Sequence, residues 1–140
     1  MVSAASESGS EARQVKDVLS AAFAAETKGD YSAFYGFLSE RAKAKLLRDD
    51  GVRTAEDYRK LRIRGEAKWL KNNLLSVRAL KEHRYSAVSR ADVEETGETD
   101  QFCVRYTLVF EGSWKIDQWK YLDSCPSAAE KPQSKLDNPK

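Results

Sequence analysis

The chain has 140 residues, 41% of them hydrophobic and 33% charged, with three Trp, six Tyr and five Phe. That length suits one domain with its own core and is short for two, and the aromatic content excludes a wholly disordered chain. The net charge is only +2, and no apolar run approaches the length that spans a bilayer.

Charge is unevenly spread, with three basic against six acidic residues up to residue 40, fourteen against six over 41–84, and seven against ten thereafter. The opening residues 1–9 are small and rich in Ser, Ala and Gly, which suits a flexible tether or the mature start of an exported protein whose signal has been removed. Residues 10–125 then form a single domain, and residues 126–140, which hold all three Pro, read as a disordered tail.

Ser8 followed by Glu11 matches a capping box, and Val15, Val18, Leu19, Ala22 and Phe23 recur at helical spacing. A helix over residues 10–28 follows, ended by Gly29 in the left-handed conformation. Asp30 can cap a short helix bearing Tyr31, Phe34, Tyr35 and Leu38, and Ser39 another bearing Ala42, Leu46 and Leu47, the two separate or continuous. Thr54 starts a further helix that Gly65 ends or bends before Ala67, Trp69 and Leu70.

From Ser76 the period becomes alternating. Four strands are expected over 76–82, 85–95, 101–111 and 114–123, with turns at His83-Arg84, Gly97-Glu98 and Gly112-Ser113. The fold class is therefore α+β, N-terminal helices packed on one face of a four-stranded antiparallel meander.

Alternation sends Phe102, Val104, Tyr106, Leu108 and Phe110 to one face. Pairing Phe110 with Trp114 adds Ile116 and Leu122, which marks the side the helices cover. In this register Gln118 and Lys120 point inward, whereas Asp117, Trp119 and Tyr121 point outward beside Arg105, a cation–π arrangement that suits a protein partner or homodimer. Pairing Val93 with Phe102 turns Ala87, Ser89 and Ala91 inward. Those small residues leave space that Phe34 or Trp69 fills, or that remains as a cavity for a small hydrophobic ligand lined by Tyr35, Trp69, Ser89 and Tyr106.

The order of elements, the Gly29-Asp30-Tyr31 step and the run Gly112-Ser113-Trp114-Lys115-Ile116-Asp117 resemble the nuclear transport factor 2-like superfamily, and more narrowly its small bacterial exported or lipoprotein-type domains. The resemblance implies a cone in which a curved sheet wraps a long helix, often dimerising through its outer sheet face, with isomerase-like and cyclase-like enzymes beside non-catalytic binding domains. An extracytoplasmic or periplasmic location follows from the same resemblance, the alternative being cytoplasmic.

Catalytic chemistry has few candidates. His83, the only histidine, falls at a turn, and Tyr106 is an aromatic in the packed layer, so no catalytic residue is assigned. One His and two separated Cys cannot supply closed coordination, and no metal or cofactor is expected. Cys103 faces Tyr121 in this register, which leaves Cys125 roughly 13 Å further along the strand direction; a disulfide would need the chain to bend back at Pro126. Arg59, Arg62, Arg64 and Lys68 form a basic stretch that could meet an anionic membrane surface, although a solvated helix face is the plainer reading and nucleic acid is not favoured. The leading function is a non-catalytic binding or protein-interaction domain using the outer sheet face. The alternative is a small-molecule binder or enzyme using the interior.

Overall fold

The computed structural model describes residues 4–81 and 83–126. Four helices, α1 (Ala4–Thr27), α2 (Tyr31–Tyr35), α3 (Glu40–Asp50) and α4 (Ala55–Arg64), precede four strands, β1 (Lys68–Leu80), β2 (Arg84–Glu95), β3 (Glu98–Phe110) and β4 (Trp114–Tyr121). The strands form one antiparallel sheet in the order β1-β2-β3-β4. The fold is thus α+β with the helices first, as the change of period at Ser76 requires. Residues 127–140 of the expected tail and residues 1–3 of the expected tether lie outside the described residues.

Local chemistry fixes each helix end. Gly29, at φ +81°, closes α1 with paired bonds from Asp30 N to Ala25 O (2.8 Å) and from Gly29 N to Glu26 O (3.1 Å), a Schellman closure. Asp30, Ser39 and Thr54 each cap the next helix by accepting a backbone N–H three residues on. The start of α1 differs from expectation, because the helix already runs at Ala4 and includes Ser8. Helices α2 and α3 are separate. Between them residues 37–39 lie along β4, with Ile116 N donating to Phe37 O (2.8 Å) and Ser39 N to Ile116 O (2.9 Å).

The sheet holds three register features that simple alternation misses. First, β1 begins at Lys68, eight residues before the expected start, and bulges between Trp69 and Lys71 and again between Leu74 and Ser76. Each bulge adds a residue and breaks the period of two, which is why this strand resembles helix or loop in sequence. Second, the β2–β3 turn is made by Thr96 (φ +52°) and Gly97 (φ +85°), a two-residue turn with both φ positive. Phe102 therefore pairs with Ala91 rather than Val93. The slide is two residues, so the faces are kept.

The third feature changes the faces. Phe110 pairs with Trp114 and Leu108 with Ile116 as expected, but Thr107 then pairs with Gln118 and Tyr106 with Trp119. Asp117 is the extra residue of this bulge. Beyond it every β4 side chain moves to the opposite face. Trp119 and Tyr121 consequently share the inner face with Tyr106 and Val104, and Lys120 joins Arg105 outside.

The core lies between α1 and the sheet. Val15, Leu19, Ala22 and Phe23 from α1 meet Tyr85, Ala87, Ala91, Val104, Tyr106, Leu108, Trp114 and Ile116. Phe23 packs obliquely on Tyr106 with ring centroids 5.4 Å apart, and Ala87 and Ser89 are fully buried on the same face of the sheet. Phe102, expected within the core, is 40% exposed at the open end of the sheet.

Candidate functional site

A cavity of about 250 Å³ remains between helices and sheet, lined by Phe34, Tyr58, Trp69, Val104, Tyr106, Trp119 and Tyr121 with the polar side chains of Glu26 and Arg62. It shares Ala67, Trp69 and Tyr121 with a wider cleft of about 580 Å³ whose rim includes Phe102 and residues 122–125. Trp69 and Tyr121 face each other at that junction with centroids 6.5 Å apart. The interior is therefore connected to the sheet's open end.

Glu26 and Arg62 form the polar wall. Glu26 sits on the apolar stripe of α1, in phase with Val15, Leu19 and Ala22, and is only 4% exposed. Arg62 reaches it from α4, where it shares a face with Tyr58, and Arg62 Nη2 lies 3.0 Å from Glu26 Oε2. The contact is close enough for an ion pair but off the axis of a hydrogen bond, so Glu26 Oε1 and Arg62 Nη2 both remain without a hydrogen-bond partner. Arg62 Nη1 donates to Tyr58 Oη at 2.7 Å, and its guanidinium lies 4.5 Å from the centre of the Tyr31 ring. A planar cation between two tyrosines is a stable way to bring an arginine indoors.

Burial governs titration here. Loss of hydration pushes the Glu26 carboxyl above its ordinary range, although the adjacent Arg62 opposes that shift. The Tyr58 hydroxyl is pushed up to about 12 by burial, again with Arg62 opposing. Tyr106 is raised as well, first by burial and then by the charge of Glu26. Both tyrosines are thus neutral hydroxyls near neutral pH, able to hydrogen-bond and unsuited to act as bases.

Below the cavity, Asn72 Nδ2 lies 3.4 Å from Tyr106 Oη, a long hydrogen bond. Asn72 Oδ1 and Ser89 Oγ are buried without a well-aligned partner. Ser89 is close enough to Tyr106 to favour the ionised phenol, without an aligned bond between them.

The expected cavity lining is therefore partly assembled. Trp69 and Tyr106 line the cavity, and Ser89 lies beneath it. Tyr35 stands behind Tyr58 with ring centroids 5.7 Å apart and is not among the lining residues. Sequence reasoning misses Glu26 and places Arg62 on the basic stretch rather than in the cavity. Their signal was an acid on the apolar stripe of one helix and a base beside Tyr58 on another.

The expected outer surface of Arg105, Trp119 and Tyr121 does not form. The Asp117 bulge places Arg105 on the outer face and both aromatics on the inner face, where Tyr121 stays 57% exposed at the open end. Gln118 and Lys120, expected inward, are exposed for the same reason. Asp117, expected outward, is buried against α3, where it accepts a hydrogen bond from Ser39 Oγ (2.6 Å) and lies 3.5 Å from Arg41 Nε. What remains on the outer face, from Arg90 to the β3–β4 end, is a group of cations: Arg78, Arg84, Arg90, Arg105, Lys115 and Lys120.

The basic helical stretch is also divided. Arg59 Nε donates to Glu56 Oε1 (2.9 Å), Arg62 is in the interior, and Lys68 belongs to β1 opposite Glu94. Arg64 at the end of α4 and Lys68 at the start of β1 remain exposed, so two of the four expected cations still face solvent. His83 has φ +57° at its turn and is exposed, with Nδ1 3.4 Å from Glu11 Oε2.

Cys103 and Cys125 are joined by a disulfide, with Cα atoms 5.1 Å apart. Leu122 N donates to Cys103 O (2.9 Å), and the chain then bends at residues 123–124, which brings Cys125 back to Cys103. Among the described residues no cluster of His, Cys, Asp and Glu could hold a metal ion, and no helix is long and apolar enough to cross a membrane.

No protein-family model and no curated protein matches this chain.

Proposed function

We propose that the protein is a small-molecule-binding domain whose ligand occupies the interior between α1, α4 and the sheet. The observation that carries this reading is an aromatic-walled cavity of about 250 Å³ containing one buried ion pair with unsatisfied hydrogen-bonding atoms. Ligand sites combine a mostly apolar lining with a few placed polar groups, and this interior has that composition. The resemblance to the nuclear transport factor 2-like superfamily points the same way. An extracytoplasmic setting accords with the Cys103–Cys125 bond, since structural disulfides persist in oxidising compartments.

The test is fragment binding followed by the indole N–H signals of the three tryptophans. Indole and similar one-ring and two-ring aromatics should shift the Trp69 and Trp119 signals, and Ala67→Phe, which narrows the mouth, should weaken the effect at least tenfold. Absence of any shift across such a set, with protein and fragment at millimolar concentration, rejects the reading.

A second reading is supported by a separate observation. None of Arg78, Arg84, Arg90, Arg105 and Lys120 has a carboxylate at ion-pair distance among the described residues. An outer face of this kind suits an acidic protein partner, with charge steering the encounter. Retention on immobilised polyglutamate at low salt, lost in Arg90→Glu/Arg105→Glu, is the expected result; equal retention of both proteins contradicts it.

A further inference from the structure

The cleft at the open end of the sheet has a composition of its own. Trp69 from β1, Phe102 from β3 and Tyr121 from β4 line it, and no helix contributes to its wall. Tyr121 stands between the other two rings, its centroid 6.5 Å from that of Trp69 and 6.2 Å from that of Phe102. Phe102 is 40% exposed and Tyr121 57%, so a molecule in the cleft reaches both rings without any part of the fold opening. Aromatic area left open around a concavity of about 580 Å³ is a feature that marks binding sites.

The charges beside these rings are of one sign. Glu95 and Asp123 line the cleft and are exposed, and none of its described lining residues is Lys, Arg or His. Neither carboxylate has a basic group at ion-pair distance among the described residues. Lys68, adjacent to Trp69 in the chain, pairs across from Glu94 and by alternation points to the other face of the sheet.

That combination selects among ligands. Ring faces attract cations through their quadrupole, Trp most strongly and then Tyr and Phe. An anion meets two carboxylates, and a neutral hydrocarbon gains from the rings but nothing from the acids. A hard metal ion needs a shell of oxygen ligands that ring faces do not supply, and among the described residues no group of acids could provide one. A primary ammonium is compact and strongly hydrated, and ring faces offer no acceptor to replace the water it sheds. An alkylated ammonium carries its charge beneath apolar methyl groups, so rings and carboxylates favour it together.

We propose that the cleft binds an organic cation of the quaternary or fully alkylated ammonium type, with its methyl groups against Trp69, Phe102 and Tyr121 and its charge balanced by Glu95 and Asp123. The site lies at the mouth of the interior cavity, and the inference does not rest on that cavity holding a ligand.

The experiment titrates choline, and the neutral alcohol in which a tert-butyl group replaces its trimethylammonium, into the full chain with its disulfide intact. Choline should shift the indole N–H signal of Trp69, which lines the cleft, and leave that of Trp119, which lines the interior cavity and not the cleft. The alcohol should bind at least tenfold more weakly, the difference being the charge alone. Tyr121→Leu keeps apolar bulk and removes a ring face, and Glu95→Gln/Asp123→Asn removes both charges. All three side chains are exposed, so both variants should fold as the parent does. Each should weaken choline at least fivefold, and the second should also remove the weakening by added salt.

Binding of choline and the alcohol within threefold of each other would overturn the proposal, as would unaltered choline binding in Tyr121→Leu. So would tighter binding of a methyl glucoside, which would assign a sugar stacked on the rings, or a Trp119 shift as large as that of Trp69, which would place the cation in the interior. Absence of a Trp69 shift with choline at tens of millimolar rejects this inference, and indole still shifting Trp119 then leaves the interior reading intact. Failure of choline and indole alike rejects both.

Discussion

Replacing Arg62 alone should harm the protein more than removing the whole ion pair. In Arg62→Met the Glu26 carboxylate stays in place, 4% exposed, without its counterion, and Tyr58 Oη loses the donor that now sits 2.7 Å away. Stranding one partner of a buried pair costs about 3–5 kcal/mol. A domain of this size has roughly 5–15 kcal/mol of stability, so the variant should still fold. With a urea dependence of about 2 kcal/mol per molar, its midpoint should fall by about 2 M.

Glu26→Leu/Arg62→Met removes both charges and substitutes apolar volume, and it should lie within about 1 kcal/mol of the unaltered protein or above it. The measurement is urea unfolding of both variants at neutral and mildly acid pH. Acid should rescue the single variant, because protonation neutralises the stranded carboxyl. A single variant within 1 kcal/mol of the parent at neutral pH, or a deficit that does not shrink in acid, would mean that water reaches Glu26 and that the polar wall is not dry.

Three further outcomes are expected. Trp119→Ala should cost about 2–3 kcal/mol in urea unfolding, as befits a partly buried aromatic packed on the core, while Arg105→Ala should stay within about 0.5 kcal/mol; the reverse order would contradict the bulge at Asp117. Reducing Cys103–Cys125, whose partners are 22 residues apart, should cost about 3 kcal/mol by loop-closure entropy, and unchanged unfolding midpoints with and without reductant would refute that. Glu26 has its folded pKa raised above the ordinary 4.5, so the folded state holds this proton more tightly than the unfolded chain. The stability it contributes is greatest below 4.5 and is lost as pH rises through the folded value. Glu26→Gln should therefore flatten that part of the stability profile, and an unaltered profile counts against a buried carboxyl.

Much of the architecture is legible in the sequence because the relevant chemistry is local. Gly29, Asp30, Ser39 and Thr54 act within a few residues of themselves, and each marks the helix boundary its side chain or missing Cβ implies. The Gly112 turn fixes the first β3–β4 pairs for the same reason. The N-terminal half of β1 is not legible, since two bulges erase the alternation by which strands are recognised. The site fared likewise. Trp69 and Tyr106 are bulky and on the expected side, whereas Arg62 reads as one of several cations until Glu26 is seen opposite it across the interior.

The bulge in β4 is itself explained by contacts far apart in sequence. A strand alternating regularly from Trp114 would carry Asp117 outward and Trp119 with it. Here the carboxylate is drawn to the start of α3, where Ser39 Oγ accepts from Ala42 N (3.0 Å) and donates to Asp117 Oδ1 (2.6 Å), joining a helix cap to the sheet edge across 78 positions. A carboxylate near a helix N-terminus is favoured by the macrodipole, and burying it demands these partners. Holding Asp117 there consumes one residue of β4. That single residue turns Trp119 and Tyr121 inward, gives the cavity two of its aromatic walls, and clears the outer face for cations. Alternation along β3 and β4 alone takes no account of Ser39, and so it places Trp119 and Tyr121 on the wrong face of the sheet.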